Sequence, residues 1–156
     1  MIIAVDFDGT IVEHEYPNIG KEKPFAIQTL IRLQNECRCQ LILWSVRRGH
    51  LLQEAVDYCY ERGLDFYAVN KDFPEEVEGE SHGYSRKLKA DLFIDDRNLG
   101  GLPEWGVIYD MVSSGEFLNG NVGLLQDKLN VTRDARGRKV KHNFLVRLGL
   151  ALEGNK

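Results

Sequence analysis

The 156-residue chain has no long apolar run, only three cysteines, and neither an internal repeat nor a low-complexity tract. Each absence excludes something. A membrane-spanning helix needs about 18 or more consecutive apolar residues, and no stretch approaches that length. The amino-terminal run Met1-Ile2-Ile3-Ala4-Val5 meets Asp6 too soon to read as a signal peptide, so a cytoplasmic protein with no membrane partner is expected. Cys37, Cys39 and Cys59 cannot all pair, and in a reducing compartment they are expected as free thiols. Cys37 and Cys39 are one residue apart, and no second Cys/His pair follows at zinc-finger spacing, so a zinc site is not expected. The sequon Asn130-Val131-Thr132 is read as coincidental for the same compartment reason.

What is present is the balance of an ordinary globule, 43% hydrophobic and 28% charged, at a length that suits one compact core. The net charge of −4 hides an asymmetry. Residues 1–118 carry 12 Lys and Arg against 21 Asp and Glu, a net of −9, whereas residues 119–156 carry 8 against 3, a net of +5. Body and tail therefore have to be read separately.

Short apolar runs stop abruptly at polar residues: Ile2 to Val5 at Asp6, Leu41 to Trp44 at Ser45, Phe66 to Val69 at Asn70, Leu92 to Ile94 at Asp95-Asp96, and Gly106 to Tyr109 at Asp110. These read as five buried strands. Amphipathic helical patterns run from Pro24 to Glu36 and from His50 to Arg62, the second closed by Gly63, and a third helix is expected before the fourth strand. Near-continuous apolar strands alternating with such helices predict an α/β fold with a parallel sheet covered on both faces. Ligands of such sheets bind beyond the carboxyl ends of the strands, where this chain places Asp6, Asp8, Thr10, Ser45, Asn70, Asp95, Asp96 and Asp110.

That set is dominated by carboxylates. Two of them about 5 Å apart at an effective dielectric of ~20 repel by about 3 kcal/mol, so a convergent group must take up protons or a cation. Oxygen ligands in an open, hydrated site favour Mg²⁺. A carboxylate left free beside such a cation can attack a phosphoryl group, with Ser45 and Lys87 as nearby donors.

The order Asp6-Phe7-Asp8-Gly9-Thr10, then Ser45 after an apolar run, then Lys87, then Asp95-Asp96-Arg97, resembles the haloacid dehalogenase-like superfamily of aspartyl-phosphate-forming hydrolases. The resemblance spans residues 1–118 and implies a Rossmann-like three-layer sandwich around a mainly parallel sheet, as a catalytic core. By that resemblance Asp6 is the nucleophile and a Mg²⁺ ligand, and Asp8 the general acid/base whose backbone carbonyl also touches the metal. Thr10 steadies Asp8, Ser45 holds the transferring phosphoryl group, and Lys87 offsets its charge, with Lys89 as the alternative lysine. Asp95 and Asp96 hold the metal, Asp96 as the inner ligand.

Short spacings between Asp8, Ser45 and Lys87 leave no room for an inserted cap domain, so the expected protein is capless, with an open site and a large or otherwise covered phosphorylated substrate. His14, Glu15, Tyr16, Arg47, Arg48 and Lys71 are near enough in the chain to face it but read first as solvated surface. The extension 119–156 holds the basic cluster Arg133, Arg136, Arg138, Lys139 and Lys141 and apolar Phe144 and Leu148, which suit packing on the core or on a second subunit. Nucleic acid is the less favoured partner of that tail. The expected function is a Mg²⁺-dependent phosphomonoester hydrolase. Its alternatives are a nucleotide or nucleic-acid-end phosphatase using the tail, and a non-catalytic phospho-ligand binder or phospho-accepting module. The last is disfavoured because its lysine would follow the paired acids rather than precede them.

Overall fold

A computed structural model describes residues 1–77 and 86–115, together with a short strand pair at 132–133 and 139–140. The chain divides into two compact units, Met1–Gly115 and Glu116–Lys156.

In the first unit, four apolar segments form a parallel sheet: β1 (Ile2–Val5), β2 (Gln40–Leu43), β3 (Ala68–Val69) and β4 (Leu92–Ile94), in the spatial order β3-β2-β1-β4. Register is set by the pairs Ile3↔Leu41 and Ile3↔Leu92 on either side of the central strand β1. Because successive side chains alternate between faces, Ile3, Val5, Leu41, Leu43 and Ile94 enter the larger core cluster while Ala4, Ile42 and Ala68 enter a smaller one. A central strand buried on both faces has no polar position to offer, which is why β1 reads as an unbroken apolar run.

Three helices fill the larger cluster: α1 (Ala26–Cys37), α2 (Gly49–Tyr60) and α3 (Trp105–Ser114). Helix α1 buries Ala26, Ile27, Leu30 and Leu33, spaced so that one stripe faces the sheet. Its outer face is tied to α3, since Arg32 binds Glu36 through two nitrogens, lies 3.9 Å over the Tyr109 ring, and Glu36 also accepts the Tyr109 hydroxyl. Helix α2 ends in a Schellman motif: Leu64 N–H donates to Cys59 O, Gly63 N–H to Tyr60 O, and Gly63 sits at φ 82°, the left-handed value its place in the sequence called for. The smaller cluster is closed by Leu88 and Ala90 from an extended segment, so the layer on that face is not helical among the described residues. The architecture is an α/β Rossmann-like sandwich with a parallel central sheet.

Two sequence expectations differ from this. No helix lies between β3 and β4 among the described residues, and the apolar stretch Gly106 to Tyr109 is not a fifth strand but part of α3. A four-residue apolar run cannot by itself separate strand from helix. The wider window does, because the buried positions Trp105, Ile108 and Val112 fall three and four apart. Asp110 accordingly lies on a helix and not at a sheet end.

In the second unit, β5 (Thr132–Arg133) and β6 (Lys139–Val140) pair antiparallel, with Thr132 opposite Val140. The rest of the expected extension, including Phe144 and Leu148, lies outside the described residues.

Candidate active site

Asp6 is the first residue past β1. Its N–H donates to Ile94 O at 3.0 Å, and Trp44 N–H donates to Val5 O at 2.8 Å, so the ends of β4 and β2 bracket it. The chain then turns on itself, with the amides of Thr10, Ile11 and Val12 all directed at Phe7 O. Phe7 itself is buried in the core. Gly9 permits the turn twice over: it sits at φ 89°, and a Cβ there would lie 2.3 Å from Asp96 Oδ2. The Thr10 hydroxyl accepts Asp96 N–H at 3.0 Å and donates to Asp6 Oδ2 at 3.3 Å. It thereby joins the two ends of the acidic group, and no hydrogen bond links it to Asp8, the residue that the resemblance gave it to steady.

Asp6, Asp95 and Asp96 each offer a carboxylate oxygen within 4.8 Å of the other two. Burial pushes the Asp6 carboxyl up to about 6, the charges of Asp95, Asp96 and Asp8 add to the rise, and the Phe7 backbone hydrogen bond opposes it. Asp96 Oδ1 is shut off from solvent and makes no hydrogen bond. A buried carboxylate oxygen without a donor is costly, and a cation among these three side chains would supply what it lacks. An all-oxygen donor set with crowded negative charge fits a hard divalent ion such as Mg²⁺. The side chain of Asp8 does not belong to this group.

Asp8 is instead engaged by Arg47. The Arg47 Nε and Nη2 donate to Asp8 Oδ2 and Oδ1, both at 2.7 Å, and the remaining donors reach Pro17 O at 2.9 Å and Asn18 O at 2.7 Å. The guanidinium also lies 5.2 Å from the Phe7 ring centre and 5.3 Å from that of Tyr16. Arg47 is 0% exposed and Asp8 4%. From its type alone Arg47 is expected at the surface, because an arginine is almost never fully buried unless paired. The missing signal was Asp8, whose place in a buried loop demands a cation, and Arg47 follows the strand next to β1.

Ser45 is fixed by Asn70, whose side-chain amide accepts Ser45 N–H at 2.8 Å and donates to Ser45 O at 2.9 Å, in the manner of one more rung of the ladder between β2 and β3. Asn70 holds φ 54°, a conformation that asparagine tolerates better than most residues. Ser45 Oγ accepts Arg47 N–H at 3.2 Å. An open cavity of about 660 Å³ unites Asp6, Asp8, Ser45 and Asp95 with His14, Tyr16, Trp44, Arg48, Arg86 and Arg97. Of the residues expected nearby, Glu15, Lys71, Lys87 and Lys89 do not line it. The Lys87 ammonium is 6.0 Å from the Phe93 ring centre, and Lys89 pairs with Asp72 at 4.0 Å. Arg86 is the cation that the same segment presents to the cavity.

Fold and site together define an α/β protein with an acidic group at the carboxyl ends of a parallel sheet. A solved structure of a conserved protein from Bacteroides thetaiotaomicron is 64% identical in sequence to this chain, matching 74% of it and 91% of its own length with a TM-score of 0.69. This chain belongs to the same family as that protein. No protein-family model matches it, and neither does any curated protein.

Proposed function

We propose that the protein is a Mg²⁺-dependent phosphomonoester hydrolase of the haloacid dehalogenase-like kind, in which Asp6 is the nucleophile. The observation that carries this reading is the convergence of Asp6, Asp95 and Asp96 at the sheet end with Asp96 Oδ1 buried and unpartnered. Asp6, Asp95 and Asp96 would hold the ion, with the Asp8 carbonyl added by the resemblance. Asp96 suits the inner position better, because Asp95 Oδ1 already accepts Arg97 N–H at 2.8 Å. When bound, the cation screens the carboxylates from an anionic substrate and polarises the phosphoryl oxygens.

Asp6 attacks phosphorus, so that a bond from its carboxylate oxygen to phosphorus forms as the bond to the leaving oxygen breaks. The leaving oxygen takes a proton from Asp8, and water, giving a proton back to Asp8, then cleaves the aspartyl-phosphate to regenerate Asp6. Arg47 donates to both Asp8 oxygens and so fixes the orientation of this carboxyl. Ser45, oriented by Asn70, is placed to donate to the phosphoryl group. Arg86, which lines the cavity, is better placed than Lys87 to offset its charge.

The test is hydrolysis of an aryl phosphate with and without Mg²⁺ by the parent protein and by Asp6→Asn. The amide retains the shape but loses the attacking oxygen and one ligand charge, so turnover is expected to fall by about 10³-fold or more. Parent-like turnover by Asp6→Asn with Mg²⁺ present would remove Asp6 from the nucleophile role.

A further inference from the structure

The cavity that holds Asp6 also holds three arginines, Arg48, Arg86 and Arg97, whose side chains make no ion pair or hydrogen bond among the described residues. Arg32, Arg47 and Arg62 each meet a carboxylate, whereas Arg38, outside this cavity, meets none among the described residues. Three uncommitted cations in one cavity are unexpected in a body whose residues 1–118 carry a net charge of −9. Leaving a long cationic side chain unpaired beside carboxylates forgoes easy local pairing, and an incoming anion would supply the partner.

Topology places these cations around the nucleophile. Arg48 follows β2 and Arg97 follows β4, the two strands that flank β1 and hence Asp6. Arg86 comes in on the segment before β4 and can serve the transferring phosphoryl group, which leaves Arg48 and Arg97 unaccounted for. Arg48 immediately precedes the first turn of α2, which contains no acidic residue and receives no side-chain cap, so this positive helix end adds to the attraction of Arg48 for an anion. On the proposed function, we infer that the substrate is a phosphomonoester carrying a second phosphate on its leaving group, and that Arg48 and Arg97 bind this second phosphate. Guanidinium groups suit the role because their donors match phosphate oxygens in pairs.

The experiment measures binding, so that it does not depend on turnover. With Asp6→Asn protein in Mg²⁺, calorimetric titration compares two matched pairs: adenosine 5′-monophosphate with adenosine 3′,5′-bisphosphate, and a hexose 6-phosphate with the hexose 1,6-bisphosphate. The bisphosphate is expected to bind at least about tenfold more tightly than its partner, a gain that shrinks below about threefold when Arg48→Gln and Arg97→Gln are added. A gain confined to one pair assigns the second phosphate to a nucleotide or to a sugar. Equal affinity within both pairs, or a gain that survives the two added substitutions, overturns the inference. Absence of phosphatase activity in the parent with the gain intact would strike the proposed hydrolase and leave the anion site standing.

Discussion

At the scale of single residues, the acidic group gathers three carboxylates that no ion pair among the described residues balances. With no cation bound, Asp6 titrates near 6 in the folded state against 3.8 for an ordinary aspartate. The folded state then holds this proton more tightly than the unfolded chain does. Its contribution to stability is complete below about pH 3.8 and is lost as pH rises through about 6. Above that value the desolvated carboxylate is a liability that a bound cation would remove. Mg²⁺ is therefore expected to raise the melting temperature more at pH 7.5 than at pH 5, where it competes with the Asp6 proton. Thermal unfolding in Mg²⁺ and in chelator at the two pH values checks this, and an equal gain at both would refute it.

Arg47 poses the opposite case, a charge balanced wholly inside the protein. Its removal leaves Asp8, 4% exposed, without a partner. Breaking a buried pair in this way typically costs about 3–5 kcal/mol, whereas replacing both members costs less. Arg47→Met should lower stability by an amount in that range, and Asp8→Asn introduced with it should restore part of the loss. Urea unfolding of the two single variants and the double variant measures the coupling. Additive losses would mean that the pair contributes nothing beyond its separate side chains.

At the scale of elements, helix ends show how sequence translates into structure. Gly63 closes α2 at φ 82°, and a Cβ there would meet only Ile31 Cδ1 at 3.8 Å, an ordinary contact. Gly63→Ala should therefore cost about 1 kcal/mol, the conformational penalty alone, read from the denaturation midpoint at constant slope. A loss near zero would mean the helix end relaxes out of the left-handed conformation. This end was legible because glycine after an amphipathic run has few other uses. The four parallel strands were legible because a strand buried on both faces must be apolar throughout. Helix α3 was not, because Gly106 to Tyr109 matches both periods and only the burial of Trp105 and Val112 decides between them. The acidic residues beyond β1 and β4 could be placed from the strand ends alone. The Arg47 to Asp8 pair and the Asn70 clasp on Ser45 could not, because both join segments that only the strand order brings side by side.

At the scale of the whole molecule, the question is how much of the chain the fold and the site require. Among the described residues, both apolar clusters are built from side chains of Met1–Gly115, and so is every member of the acidic group. Removing residues 119–156 deletes a net charge of +5 and leaves a body of −9. Added self-repulsion lowers stability somewhat, but no described core residue is lost. A chain ending at residue 118 is expected to unfold cooperatively and to show the same Mg²⁺-induced rise in melting temperature that is expected for the full chain. Sedimentation of the two forms then reads what the extension adds, since a fall from dimer to monomer mass would place it at a subunit interface. A weaker salt dependence of oligonucleotide binding in the shorter chain would instead assign its basic residues to phosphate contacts. A shortened chain that melts without a cooperative transition would show that the Rossmann-like unit depends on the extension for its fold.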